Sequence, residues 1–256
     1  MVTETGVAPA VVLVRPQEDG NLGAVARAMA NMGLERLVLV APQADPAGAA
    51  ARAMAVGARP LLEAAEVEAS LAEALAPFAR VVGTTSQRDR ALVRPPLAVQ
   101  ELPGELASDP AGTPTALIFG PEASGLTADE LALCSPLVTI PCAPALPTLN
   151  LAQAVLLVAY EIRRARLLGA EPAIERHGED VDEEHQPAPQ GEIEGLFRQV
   201  EPLLAVIGFD RDSTFHGVLR DLRALAGRGR PTVREIRILR GIARRAAHAL
   251  DRPTPR

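Results

Sequence analysis

Lysine and tryptophan are absent from this chain, and it has one tyrosine, five phenylalanines and two cysteines. A core built from 48% apolar residues but only 2% aromatics must be aliphatic, mostly Ala, Val and Leu. All 26 basic side chains are arginine, a preference that carries no functional meaning by itself. Cys134 and Cys142 form no CxxC pair, so neither a disulfide framework nor a thiolate metal site is expected, and a reducing cytoplasm is the simplest home. His177, His185, His216 and His248 lack the short spacings of metal ligands. No run is long and apolar enough to span a membrane. The opening MVTETGVAPA lacks the charged and apolar regions of a signal peptide.

The 256 residues suit one large domain, or one domain with a small appendage. Net charge is −6, which excludes a wholly basic nucleic-acid coat, but the charge is unevenly spread. Residues 171–185 carry seven acids against one arginine, and from 191 onward 13 arginines face 8 acids. The tail is basic in an acidic protein.

Short β-branched runs predict strands over 11–15, 37–41, 79–84, 115–119 and 137–141, with a weaker one near 60–63. Ala-rich stretches predict helices over 21–32, 48–57, 68–76, 127–133 and 149–168. Strands alternating with helices of this length imply βαβ units, hence an α/β fold whose parallel sheet is covered on both faces. Thr127 and Glu130 have capping-box spacing, and Asn150 or Thr148 caps the long helix. Residues 170–191 are charged, Pro-containing and poor in large apolar groups, which reads as a solvated linker. Beyond them lie three helical stretches. The expected division is 1–169, a linker over 170–191, and a basic helical unit over 192–256.

Three segments carry the chemistry. GNLGAVARAMANMG (20–33) follows the first strand, but its glycines do not have the G-x-G-x-x-G spacing of a dinucleotide site, which leaves a nicotinamide dehydrogenase poorly supported. ALIFGPEASGL (116–126) runs a buried strand into Gly120, Glu122 and Gly125. Carboxyl ends of parallel strands are where α/β proteins bind ligands, although an ordinary strand-to-helix turn would look similar. IPCAPALPTLN (140–150) leads into a helix start that could grip a polar ligand or simply be capped.

Taken together, N-x-G-x-x-x-R (Asn21, Gly23, Arg27), F-G-P-E-x-x-G-L (119–126) and I-P…T-L-N (140–150) resemble the SpoU/TrmH branch of the SPOUT RNA methyltransferases. The tail GF…LRALAGRGRPTVREIRILRGI is similar to the TrmJ-type tRNA 2′-O-methyltransferases, which modify position 32 of the anticodon loop. The resemblance implies a trefoil knot, S-adenosylmethionine as cofactor, tRNA as substrate and a homodimer sharing its active sites, with neither metal nor membrane. It implies cofactor contacts from Thr84, Thr85, Gly120, Glu122, Gly125, Ile140, Thr148 and Leu149. It implies a catalytic set of Arg27, Asn21, Glu122, Thr148 and Asn150, with Thr148 standing where the family commonly has Ser. The second motif reads GPE where TrmJ-type sequences often read GRE.

A ribose hydroxyl attacking a sulfonium methyl needs in-line placement and stabilisation of the developing alkoxide. Arg27 is the candidate for both, as a positioner rather than a base, because a guanidinium resists deprotonation. RNA contacts are expected from Arg27, Arg88, Arg90, Arg228, Arg230 and Arg234, with Arg94 and the other tail arginines as further candidates. Ribosomal RNA as substrate, or a non-catalytic RNA-binding role, are the alternatives.

Overall fold

A computed structural model describes residues 8–86, 95–169, 182–209 and 215–250. In chain order these form β1 (Ala10–Val14), α1 (Asp19–Met32), β2 (Leu37–Val40), α2 (Ala49–Ala55), α3 (Arg59–Glu63), β3 (Glu66–Glu68), α4 (Leu71–Leu75), β4 (Arg80–Thr84), β5 (Leu97–Ala98), α5 (Leu102–Leu106), β6 (Thr115–Phe119), α6 (Ala128–Ala132), β7 (Leu137–Thr139), α7 (Leu151–Leu167), α8 (Gln190–Val206), α9 (Phe215–Gly229) and α10 (Val233–Leu250).

The strands pair in parallel, in the order β3-β2-β1-β6-β4-β7-β5. One face buries Leu13, Leu37, Leu39, Leu117 and Phe119 against α1, α2 and α7. The other buries Val12, Val14, Ile118 and Val81 beneath α4 and α6. Residues alternate between two buried faces, so β1 and β2 are apolar throughout, while β6 opens on buried Thr115 and β4 on buried Arg80. The chain steps outward from β1 through β2 to β3, then resumes on the far side of β6. The β1/β6 boundary is therefore the switch point, where open α/β sheets leave a crevice beyond the strands' carboxyl ends. β7 lies between β4 and β5, two strands consecutive in sequence.

Residues 59–63 are helical, not the expected weak strand. Pro60 sits in the first turn, where its missing N–H costs nothing, and the strand comes next, at Glu66–Glu68. That edge strand alternates Glu-Val-Glu and leaves Val67 59% exposed, so it carries no buried-strand pattern. β5 and α5 also escape the sequence reading, being two and five residues long.

The C-terminal helices α8, α9 and α10 share their own core of Ile193, Leu196, Phe197, Leu219 and Ile236. This unit docks on the sheet domain at two places. At the first, the amides of Gln190 and Gly191 donate to the carbonyls of Phe78 and Ala76. The second is ionic. Arg80, with a side chain 4% exposed, pairs through Nε with Asp109 at 3.0 Å and through Nη2 with Glu105 at 2.6 Å. Arg230, at the end of α9, pairs with the same Asp109. Burial pushes the Arg80 guanidinium below its ordinary value while Glu105 draws it back up. Residues 170–181 of the expected linker lie outside the described residues; from Gln186 the backbone is bonded into the helical unit, Val233 N donating to Gln186 O and Ala188 N to Pro231 O.

Removing one member of a buried ionic cluster leaves charge uncompensated, at a cost of about 3–5 kcal/mol. Asp109→Ala should therefore lower unfolding stability by about 3 kcal/mol in urea titration and speed proteolytic separation of the helical unit. A change below about 0.5 kcal/mol, the size of an ordinary surface substitution, would show that the cluster does not hold the units together.

Candidate active site

The three motif segments meet at the β1/β6 switch point. Glu122, in the loop after β6, accepts from the Gln17 amide at 3.1 Å and from Asn21 Nδ2 at 2.8 Å. Asn21 in turn accepts from Asn150 Nδ2 at 2.9 Å. Asn150 caps α7, its Oδ1 taking the Ala152 amide at 2.9 Å while Gln153 Oε1 accepts from the Asn150 amide at 3.2 Å. Residues 21, 122 and 150 thus form one hydrogen-bonded chain across three loops. The capping box belongs to Asn150, not to Thr148.

Local sequence explains how each loop reaches this point. In α1, a Cβ on Gly23 would lie 2.1 Å from the Ala51 carbonyl oxygen, so only glycine lets α1 and α2 pack this closely. The second loop closes on itself: a Cβ on Gly120 would lie 2.3 Å from Gly125 C and Leu126 N, and Gly125 has φ +65°. These glycines serve the turn and the helix packing before they serve any ligand. Behind the loop, Thr127 and Glu130 complete the expected capping box of α6. Glu130 also takes a two-pronged bond from Arg15 at the end of β1, the second prong at 3.1 Å. Burial pushes the Glu130 carboxyl up, but Arg15 and the Thr127 amide hold it, on balance, below the usual carboxylate range.

Thr84, Thr85, Gly120, Glu122, Gly125, Ile140, Thr148 and Leu149 all line one cleft of about 220 Å³ beyond the ends of β4, β6 and β7. Ser86, Ser124, Cys142 and Leu151, which the sequence reading did not single out, line it too. Thr84 Oγ1 donates to the Ile118 carbonyl at 3.0 Å, tying the cleft's edge to the sheet. Glu122 is the one formally charged residue among the described residues lining the cleft. A described lining with a single carboxylate and no cation suits a cationic or neutral ligand better than a pyrophosphate, which looks for arginines or a free helix N-terminus.

Arg27 does not line this cleft. It is exposed on α1, one turn beyond Gly23, and makes no hydrogen bond or ion pair among the described residues. Arg88, Arg90 and Arg94 lie outside the described residues. Arg228 is half-buried and makes no ion pair among the described residues. Arg230 is held by Asp109 and bonds Ser108 at 3.3 Å. Arg234 lies 3.6 Å from Glu184, which also holds Arg237 at 2.8 Å. The described residues contain no group of three or more potential metal ligands and no helix long and apolar enough to cross a membrane.

The model of the SpoU rRNA Methylase family matches residues 8–160. The chain belongs to the SpoU methylase family. Within that family its likeness runs to TrmJ: the model of the tRNA methyltransferase TrmJ C-terminal domain matches residues 191–255. The tRNA (cytidine/uridine-2'-O-)-methyltransferase TrmJ of Salmonella choleraesuis strain SC-B67 is 41% identical over 233 residues, covering 91% of this chain and 93% of that protein. The crystal structure of TrmJ from Z. mobilis ZM4 superposes with TM-score 0.80 and 35% identity, covering 94% of this chain and all of that one. The SpoU methyltransferase AviRb of Streptomyces viridochromogenes, in complex with the cofactor AdoMet, superposes with TM-score 0.50 and 25% identity over 66% of each chain.

Asn21→Asp puts an acceptor where Glu122 needs a donor, 2.8 Å away. Two carboxylates so close raise each other's pKa, and the repulsion vanishes once one is protonated. The variant's melting temperature should fall below wild type at pH 8, and the deficit should shrink as pH drops toward 5. A deficit independent of pH would mean that Asn21 does not face an ionised Glu122.

Proposed function

We propose that this chain transfers a methyl group from S-adenosylmethionine to a ribose 2′-hydroxyl of tRNA, at position 32 of the anticodon loop. The observation that carries this reading is the junction Asn150–Asn21–Glu122 beside a cleft whose described lining bears one carboxylate and no cation. Full-length likeness to TrmJ enzymes supports the tRNA substrate. Likeness to AdoMet-bound AviRb supports the cofactor.

The residues fit that cofactor. Leu126, Val138, Ile140, Leu149 and Leu151 offer apolar walls for an adenine. The hydroxyls of Thr85, Ser86, Ser124 and Thr148 offer polar partners for a ribose and an amino-acid group. Glu122 supplies negative charge near a sulfonium. When bound, S-adenosylmethionine supplies a methyl carbon made electrophilic by its positive sulfur. The ribose hydroxyl would give its proton to solvent water as its oxygen bonds to that carbon, the carbon–sulfur bond breaking to leave a neutral thioether. Arg27, permanently charged, stabilises the growing negative charge and clamps an adjacent phosphate. Asn21 and Asn150 hold the loops in register, and Thr148 positions by hydrogen bond. In this reading residues 1–169 are the methyltransferase domain, 170–191 the connection and 192–256 the RNA reader. The insertion of β7 between β4 and β5 supports a knotted C-terminal half of the sheet domain.

A homodimer completes the site. Arg27 is off its own cleft, so the cleft it serves belongs to a second copy. An exposed stripe on α7 and its C-cap, Leu156, Leu157, Tyr160, Leu167 and Leu168, supports pairing through that helix, where unpartnered apolar surface marks an interface.

The test is methyl transfer to unmodified tRNA, with the modified nucleotide mapped by mass spectrometry. Arg27→Ala should lower kcat roughly a hundredfold or more, as loss of a charge-stabilising donor does. Ala154→Trp should close the cleft. Random pairing of the two inactive variants leaves one intact site in half of the dimers, so the mixture should recover about a quarter of wild-type activity. No recovery, or a monomer in light scattering, would overturn the shared site; no methyl on tRNA would overturn the function.

A further inference from the structure

Resting on the proposed action on RNA, we propose that a second cavity holds an unpaired nucleotide of the substrate next to the one being methylated. This cavity, about 650 Å³, lies between the sheet domain and α9. Its volume falls within the roughly 300–1,000 Å³ typical of ligand sites, which favour domain interfaces. Leu97, Leu126, Leu131 and Leu137 give it apolar walls, and Arg220 and Arg228 stand on the α9 side.

Three observations point to a nucleotide. First, among the described residues the two arginines are little engaged: half-buried Arg228 has no ion pair, and exposed Arg220 has only its neighbour Asp221, at 4.0 Å. Arg230, also on the lining, is spent on Asp109. Apolar walls beneath free guanidinium groups suit a base with its phosphate. Second, the chain has no tryptophan and few other aromatics, so stacking on a splayed base falls to arginine planes, which serve that purpose. Third, Ser124, Gly125 and Leu126 line both this cavity and the proposed cofactor cleft. One loop therefore separates the two, and a nucleotide in the cavity fixes the register of the strand at the cleft. The docking cluster of Arg80, Asp109 and Arg230 holds α9 in place over the cavity.

The experiment compares the full-length protein with Ala224→Trp, which fills the cavity from α9, and with Arg220→Ala/Arg228→Ala. Both variants should keep wild-type melting temperature and S-adenosylmethionine affinity by calorimetry. Both should raise KM for tRNA roughly tenfold or more, the range for losing one seated base, with little change in kcat. In the double arginine variant, the slope of log affinity for the tRNA against log salt should become shallower by about 1.4, two single-strand phosphate contacts at about 0.7 each. Unchanged KM in both variants, with the wild type methylating tRNA, would overturn the pocket and leave the proposed function standing. If the wild type methylates no tRNA, the function fails first. Cytidine monophosphate binding with the affinity of whole tRNA, and lost in Ala224→Trp, would also overturn the proposal and make the cavity a site for a free nucleotide.

Discussion

The site depends on the polarity of two asparagine amides. Asn150 Oδ1 is committed to the Ala152 amide, because α7 begins there and leaves backbone N–H groups without intrahelical partners. That commitment turns the Asn150 NH₂ group toward Asn21, which must accept with its oxygen and therefore present its own NH₂ group to Glu122. A side chain that both donates and accepts is needed at each step, and at this length an amide provides it. The direction of the chain is set by a helix terminus and ends on a carboxylate. The helix cap and the geometry of the candidate site are one structure, so the site inherits the rigidity of α7 and of the sheet beneath it.

Much of this was legible in advance. The central strands announce themselves because both faces are buried, and the expected capping box at Thr127 forms as spaced. The edges were harder to read. β3 shows water its glutamates and its valine, and β5 is two residues long, so neither has a pattern to detect. The helix at 59–63 was misread because Leu61 and Leu62 look the same in a short strand as in a short helix. At the site, the motifs identified Asn21, Glu122 and Asn150, but nothing in their spacing says that residues 101 and 129 positions apart touch. Gln17 acts through its backbone amide, for which a side-chain motif offers no signal. Arg15 and Glu130 are equally hidden, since their pairing depends on where β1 ends and α6 begins. The motif glycines were visible, but their duty differs from a simple ligand cradle: Gly23 allows two helices to pack, and Gly120 and Gly125 let one loop fold onto itself.

Composition alone misstates the electrostatics. The surplus of five positive charges beyond residue 191 suggests a broad basic surface, yet much of it is neutralised inside the unit. Arg223 pairs with Glu194, Arg240 with Glu192, Arg234 and Arg237 with Glu184, and Arg230 with Asp109. Arg223 also lies over the Phe197 ring, 4.8 Å from its centre. These pairs build the helical unit and dock it. Half-buried Arg228 and exposed Arg244 and Arg245, none with an ion pair among the described residues, and the weakly engaged Arg220 are what an RNA phosphate would meet. The cleft bears the opposite sign through Glu122. On the proposed reading, an acidic protein would sort a polyanion from a sulfonium by position: among the described residues, a few weakly engaged guanidinium groups would face the polyanion, while one carboxylate and no cation would face the methyl donor. Neutralising Glu122 would weaken that sorting as well as cut the chain of amides, because the carboxylate that anchors the loops is also the one formal charge among the described residues lining the cleft.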